Sequence, residues 1–123
     1  MPKGYLEHAN ITVSDPDRSS RLLQSLCGWH ERWSGPSRLG GKTIHVGDDA
    51  HYIALYNGGP IGERYAKSKP LNHLAFVVDN LDAAEEVVKT AGLEPGPRDV
   101  YEPGQRFYFF DWDGIEFEVV SYA

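Results

Sequence analysis

The stretch LNHLAFVV at residues 71–78 decides the fold, because the chain contains a second stretch of the same design, LEHANITV at residues 6–13. Each stretch leads into a turn with an acidic residue and then a helical segment that stops at a glycine: Asp17 and Gly28 in the first copy, Asp82 and Gly92 in the second. The repetition predicts a duplicated module. Because the two histidines occupy equivalent positions, we expect His8 and His73 to belong to a site.

Length and composition restrict the class of protein. A chain of 123 residues forms one compact domain or two small modules that share a core. Cys27 is the only cysteine, which excludes an intrachain disulfide and a thiolate-rich zinc site and predicts a reducing, cytoplasmic location. The net charge of -6 and 12 scattered basic residues predict no nucleic-acid partner. No apolar stretch approaches the ~20 residues of a membrane span and no signal peptide is recognised, so we expect no membrane partner and a small-molecule substrate.

The first copy has the pattern of a β-α-β-β-β unit. Apolar and polar residues alternate along a first strand near 5–13, which places His8, Asn10 and Thr12 on one face. Asp15 as N-cap and Pro16 at the first helical position predict a helix that ends at Gly28. Three strands are then predicted between glycine-containing turns, near residues 29–34, 42–47 and 51–56.

The second copy repeats the same order of elements. A strand over 71–78 is followed by a helix near 81–91 with apolar residues at helical spacing, and then by strands near 98–102, 105–110 and 115–121. The sequence therefore predicts an α+β fold in a single domain over residues 1–123. It divides into module one at 4–57, a glycine- and proline-rich linker at 58–70, and module two at 71–122.

Carboxylates interrupt the apolar pattern of the last strand. Ile115, Phe117 and Val119 share one face, whereas Glu116 and Glu118 share the other with Val120. Acidic side chains on such a strand predict a site on that face.

The duplicated plan, the histidine on the first strand of each copy and the ending FYFFDWDGIEFE at residues 107–118 resemble the vicinal oxygen chelate superfamily. This superfamily includes glyoxalases, bleomycin- and fosfomycin-resistance proteins and extradiol dioxygenases. The resemblance implies that the two tandem modules form a curved mixed sheet around a metal-binding cavity. It also implies that one divalent ion (Mn, Fe, Ni, Co or Zn) is bound by His8, His73 and Glu118.

The copies differ at the position of the last of these ligands. The repeat places Ala54 opposite Glu118, and alanine cannot bind the metal as a fourth ligand, as glyoxalases require. The three-ligand pattern is closer to fosfomycin-resistance transferases and extradiol dioxygenases. Two histidines and one carboxylate leave positions open for two substrate oxygens. Glu116 replaces Glu118 as a ligand if the register is shifted by two residues.

The same alternation predicts the lining of the site. If the faces that bear the ligands converge, five side chains are candidates for substrate binding: Asn10, Thr12, Tyr52, Tyr56 and Arg106. Glu116 and Tyr108 are candidates for proton transfer. Alternatives stay open, because each tyrosine can simply pack with its hydroxyl at the rim, and Arg106 can pair with Glu116. His45 and His51 are expected to be exposed residues beside a turn.

Two functions follow from the resemblance. The first is a metal-dependent enzyme, a lyase, isomerase, transferase or extradiol dioxygenase, whose small-molecule substrate chelates the metal through adjacent oxygens. The alternative is a metal-free protein that sequesters a drug or metabolite, as bleomycin-resistance proteins do. Because one module forms only a half-open sheet, a homodimer is expected, with the ligands supplied by one chain or by two.

Overall fold

The computed structural model describes residues 2–37, 40–58, 67–101 and 103–123, with the backbone alone at residue 101. The chain forms two compact units, Met1–Gly62 and Glu63–Ala123. Residues 59–66 of the predicted linker lie outside the described residues, whereas residues 67–70 belong to the second unit. The single domain over 1–123, with its boundaries at 4–57, 58–70 and 71–122, stays a prediction.

The first unit has the element order β-α-β-β-β. Its elements are β1 (His8–Thr12), α1 (Pro16–Cys27), β2 (His30–Pro36), β3 (Lys42–Gly47) and β4 (Tyr52–Tyr56). The strands form one sheet in the order β1-β4-β3-β2. β1 runs parallel to β4, and the other two pairs are antiparallel. β1 lies at one edge of the sheet and pairs with β4 alone. A parallel pair of strands needs a crossover connection, and the segment that contains α1 belongs to this connection.

Local signals set the limits of α1. The Asp15 side chain accepts a hydrogen bond from Arg18 N at 3.2 Å, and Pro16 occupies the first helical position. Gly28 ends the helix at φ 68°, a left-handed conformation that glycine adopts without steric cost. Three leucines of α1 are buried on the sheet: Leu22, Leu23 and Leu26. Each contributes about 2 kcal/mol through the apolar surface it removes from water.

The second unit repeats the plan. Its elements are β5 (Leu74–Val77), α2 (Leu81–Thr90), β6 (Asp99–Tyr101), β7 (Gly104–Phe110) and β8 (Glu116–Ser121). The sheet order is β5-β8-β7-β6, with β5 parallel to β8. Asn80 caps α2 through its side chain, which accepts from Ala83 N at 3.0 Å. The predicted α+β fold of two tandem β-α-β-β-β modules is therefore confirmed.

Each sheet has one apolar face covered by its helix. In the second unit this face carries a stack of buried aromatic rings, in which Phe109 and Phe117 lie 5.5 Å apart and Phe107 lies 6.3 Å from Phe109. The opposite face, which we call the open face of each sheet, bears the polar side chains of the alternating strands. The open faces are therefore where chemistry can occur.

The observed elements differ from the predicted ones mainly at their ends. β1 begins at His8 and β5 at Leu74, so each histidine lies at or just before the start of its strand. No helix among the described residues is long and apolar enough to cross a membrane.

Candidate metal and substrate site

The centre of the second unit's open face is the carboxylate of Glu118 on β8. It is 7% exposed, and each of its oxygens has a cationic or imidazole partner. His73 Nε2 lies 3.1 Å from Oε1, and Arg106 Nη1 donates to Oε2 at 3.1 Å. Register explains the cluster, since β8 pairs Glu118 with Ala75 on one side and with Tyr108 on the other. A buried carboxylate held in this way is fixed in orientation.

His73 is also held by its neighbours. Tyr108 meets the imidazole edge to face, with ring centroids 5.5 Å apart. On the other side, Asn72 Oδ1 lies 2.7 Å from His73 Nδ1. The imidazole is therefore oriented at both nitrogens and on its ring face.

Glu116, the candidate for proton transfer, is paired with Lys67. The same ammonium group donates to Asn72 Oδ1 at 3.0 Å. Arg106 donates to the neighbouring acid, Glu118, and its pairing with Glu116 stays a prediction. Neither Lys67 nor Asn72 was predicted to take part in the site.

In the first unit, the open face carries an aromatic and cationic cluster around Tyr52 of β4. The rings of His8 and His45 each stack on Tyr52 with centroids 4.7 Å away, and the Arg32 guanidinium lies 4.5 Å from the ring centroid. Trp33 packs against His45 at 5.0 Å. His8 is further held by Glu7, whose Oε1 lies 2.9 Å from Nδ1.

His45 departs from its prediction. It was expected to be an exposed residue beside a turn, but it is half-buried within β3 and stacked on Tyr52. Burial lowers the pKa of its imidazole, and the nearby His8 and Arg32 lower it further. The alternation Thr43, His45, Gly47 on a predicted strand was the signal that could have placed it on the open face. His51 is exposed, as predicted.

The other predicted lining residues of the first unit share this face. Asn10 pairs with Ala54 and Thr12 with Tyr56 across the parallel strands. Tyr56 lies so close to Gly58 that any side chain there would overlap its hydroxyl group. Ala54 is 2% exposed, so the position equivalent to Glu118 is a buried methyl group.

The comparisons with known proteins agree with this geometry. The model of the Glyoxalase/Bleomycin resistance protein/Dioxygenase superfamily matches residues 5–119. The chain belongs to this superfamily. None of the curated proteins is similar enough in sequence to count as a match.

Solved structures of the superfamily resemble the chain over almost its whole length. A glyoxylase/bleomycin resistance protein/dioxygenase domain from Frankia sp. EAN1pec is 25% identical, with a TM-score of 0.80 and 98% of each chain covered. The fosfomycin resistance protein FosX from Listeria monocytogenes, complexed with Mn(II) and sulfate, is 26% identical, with a TM-score of 0.73 over 98% of this chain and 93% of FosX. A FosX mutant with Mn(II) and 1S,2S-dihydroxypropylphosphonic acid is 27% identical, with a TM-score of 0.72 over 97% and 90%.

The donors of the second unit suit a divalent metal such as the Mn(II) in the two FosX structures. Two ligands at about 2.1 Å from a metal and at right angles to each other are about 3.0 Å apart. His73 Nε2 and Glu118 Oε1 are separated by 3.1 Å. Imidazole nitrogen and carboxylate oxygen are also donors that Mn, Fe, Co, Ni and Zn accept. The pair therefore fits two adjacent positions of such a metal.

Among the described residues, the predicted site residues fall into two groups, one in each unit. The second unit brings together His73, Glu118, Arg106, Tyr108 and, through Lys67 and Asn72, Glu116. The first unit brings His8 to Tyr52, with Asn10, Thr12 and Tyr56 on the same face. Within residues 2–37, 40–58, 67–101 and 103–123, no group of three or more His, Cys, Asp or Glu side chains is close enough to hold a metal ion.

Proposed function

We propose that the protein is a metal-dependent enzyme whose small-molecule substrate binds a divalent metal through adjacent oxygens. The observation that supports this function best is the pair formed by His73 Nε2 and Glu118 Oε1, two donor atoms 3.1 Å apart on the open face. Burial of the Glu118 carboxylate carries a desolvation cost, which its ion pair with Arg106 must offset. Metal binding would give this buried carboxylate a function.

His73, Glu118 and His8 would hold the metal. The third ligand, His8, would come from the same chain or from the partner subunit of a homodimer, as in the pairing that the superfamily resemblance implies. Mn(II) is the first candidate, because the FosX structures contain it, and Fe, Co, Ni and Zn suit the same donors. When bound, the metal would act as a Lewis acid on the substrate oxygens.

The remaining side chains have separable tasks in this proposal. Arg106, a candidate for substrate binding, already holds Oε2 of Glu118 and so leaves Oε1 turned toward His73. Tyr108 and Glu116 lie beside the ligands and are the candidates for moving a proton. Asn10, Thr12, Tyr52 and Tyr56 would supply contacts to the substrate.

The missing fourth ligand favours one branch of the superfamily. Because Ala54 offers no donor, this chain lacks a ligand at the fourth position that glyoxalases use. A three-ligand site, with more open positions for a chelating substrate, suits reactions of the fosfomycin-resistance type. The FosX mutant that contains a dihydroxypropylphosphonic acid makes a small oxyanion-bearing molecule the first substrate class to test.

Metal content after reconstitution tests the function directly. Protein loaded with Mn(II) and passed through a desalting column should retain about one ion per chain in elemental analysis. His73→Ala and Glu118→Gln should each lose most of it, because each removes one donor. His51→Ala is a matched control, since His51 is an exposed histidine beside a turn of the first unit. Equal retention by all four proteins, or by none, would contradict the metal site.

A metal-free binding function has one observation in its favour. The cluster of Tyr52, His45 and Trp33 presents stacked rings on the first unit's open face, which is the kind of surface that binds planar ligands. Titration of chelator-treated protein with bleomycin, followed by tryptophan fluorescence, separates the two functions. Binding that persists without metal and is lost in Trp33→Ala would favour sequestration over catalysis.

A further inference from the structure

Asn72 lies at the centre of a hydrogen-bonded chain that runs along the second unit's open face. Its Oδ1 is 3.0 Å from Lys67 Nζ and 2.7 Å from His73 Nδ1, and its Nδ2 donates to Ser68 Oγ at 2.8 Å. Lys67 continues the chain to Glu116. Every polar atom of this amide therefore has a partner.

These contacts fix which atom of the amide faces the histidine. A lysine ammonium group has only donors, so the amide atom that it contacts must be the oxygen. The same oxygen faces His73 Nδ1 and can only accept a hydrogen bond. His73 Nδ1 therefore carries a proton, which it donates to Asn72 Oδ1.

The state of Nδ1 determines what Nε2 can do. In a neutral imidazole with a proton on Nδ1, Nε2 presents a lone pair. That lone pair faces Glu118 Oε1 at 3.1 Å, and two acceptors at this distance repel each other unless a proton or a metal cation lies between them. Asn72 thus prepares the pair of His73 and Glu118 to receive a cation.

The first unit contains the same arrangement. Glu7 directly precedes His8, as Asn72 directly precedes His73, and Glu7 Oε1 lies 2.9 Å from His8 Nδ1. An ionised carboxylate only accepts, so His8 Nδ1 also carries its proton and Nε2 is left with a lone pair. The two residues differ chemically but hold the same nitrogen from the same position in the sequence.

We propose that Asn72 and Glu7 are positioning residues, each of which accepts from Nδ1 of the following histidine and leaves Nε2 free to bind the metal. The inference rests on the proposed metal site. A hydrogen-bonded partner on the second nitrogen fixes the tautomer and ring orientation of a metal-binding histidine and makes it a stronger ligand. Asn72 should matter more than Glu7, because Lys67 and Ser68 fix its amide, whereas the Glu7 side chain is 54% exposed.

Two substitutions at Asn72 separate the effect of losing the accepting oxygen from the effect of changing the side-chain volume. Asn72→Leu has nearly the same size but cannot accept from Nδ1, whereas Asn72→Asp keeps an accepting oxygen. Gln105→Met is the matched control, because it removes an exposed amide from the helix-covered side of the same sheet. Glu7→Gln and Glu7→Leu make the corresponding pair in the first unit, at an exposed position where folding is not at risk.

Two measurements are made on each protein. Imidazole ¹⁵N–¹H spectra of the metal-free protein at pH 8, assigned with His73→Gln, report whether Nδ1 of His73 carries a proton. Titration with Mn(II) reports the dissociation constant. Wild type, Asn72→Asp and Gln105→Met should show the protonated Nδ1. Asn72→Leu should lose it, since the proton then moves to Nε2 and is donated to Glu118, and its Mn(II) affinity should fall by about 10-fold or more.

The outcomes distinguish the two proposals. If wild type does not bind Mn(II), the proposed function fails, and the spectra still show whether Asn72 sets the tautomer. If wild type binds Mn(II) but Asn72→Leu keeps both a protonated Nδ1 and full affinity, the positioning role is overturned and the metal site stands. If Asn72→Leu loses both the protonated Nδ1 and the Mn(II) affinity, and Asn72→Asp keeps both, the result supports the positioning role over a general loss of folding.

Discussion

Asp111, at the turn between β7 and β8, should make the stability of the protein fall as pH rises. Its side chain is 6% exposed, and Oδ1 accepts from Asp113 N and Ile115 N, both at 2.9 Å. Burial raises the pKa of this carboxyl from 3.8 to about 6, despite the backbone N–H groups of Ile115, Asp113 and Gly114, which favour the charged form. The folded protein therefore holds this proton more tightly than the unfolded chain does.

The size of the effect follows from the pKa. A shift of about 2 units corresponds to about 3 kcal/mol, at 1.36 kcal/mol per unit. Between pH 4 and pH 6 the Asp111 carboxyl is more protonated in the folded state than in the unfolded state, so its contribution to the free energy of unfolding declines across this window and levels off above it. Below about pH 6 the folded protein holds the protonated carboxyl, which retains Oδ1 as an acceptor.

Asp111→Asn imitates that protonated form at every pH. The amide oxygen can still accept from both backbone groups, so the variant should exceed wild type by about 1 to 3 kcal/mol at pH 8 and match it near pH 4. Urea denaturation at several pH values between 4 and 8 measures the difference. Asp111→Leu is the control, because it leaves two buried N–H groups without an acceptor and should be less stable throughout. A pH-independent difference between Asp111→Asn and wild type would refute the reasoning.

Three further predictions concern other parts of the fold. Arg106→Met should destabilise the protein by about 3 kcal/mol in urea, because it leaves the buried Glu118 charge without its cation, and adding Glu118→Gln should restore much of that loss. Gly47→Ala should lower the free energy of unfolding by at least about 2 kcal/mol and disturb Tyr52, since a Cβ there would overlap backbone atoms of the β3–β4 hairpin. Gly4→Ala is the control, because the space around Gly4 is open, and it should change the melting temperature little. Burial raises the pKa of the Cys27 thiol to about 12, so an aromatic disulfide reagent at pH 8 should modify it slowly in the native protein and rapidly in urea.

Much of the fold could be predicted because its signals are local. Asp15, Pro16 and Gly28 define the limits of α1 through capping and backbone geometry, which do not depend on distant residues. The predicted alternation of side chains between the two faces around Glu118 is observed, because the β7–β8 hairpin fixes the register of the last strand. Glu118 therefore shares a face with Tyr108. These same rules brought His73, Glu118 and Arg106 to one face.

Other parts of the site depend on irregular or distant structure. Arg32 reaches Tyr52 from a strand with a β-bulge between Glu31 and Trp33, and a bulge changes the face to which later residues point. Lys67 lies in a segment without periodicity, so no pattern predicted its pairing with Glu116. Asn72 was different, because a polar residue precedes the histidine in both copies, and that signal was available in the sequence.

The two sheets use equivalent strand positions for different side chains, and this difference explains why only the second sheet carries an acid at the position of Glu118. Across three neighbouring strands, the first sheet aligns Asn10, Ala54 and His45, whereas the second aligns Ala75, Glu118 and Tyr108. In each row an alanine stands beside larger polar groups. Ala75 leaves room for the acid on the central strand, and Ala54 leaves room for groups on the flanking strands. A second acid at Ala54 would lie next to His45, which already occupies that space against Tyr52. The first sheet is therefore built to present imidazole, aromatic and guanidinium groups, and the second to present the carboxylate.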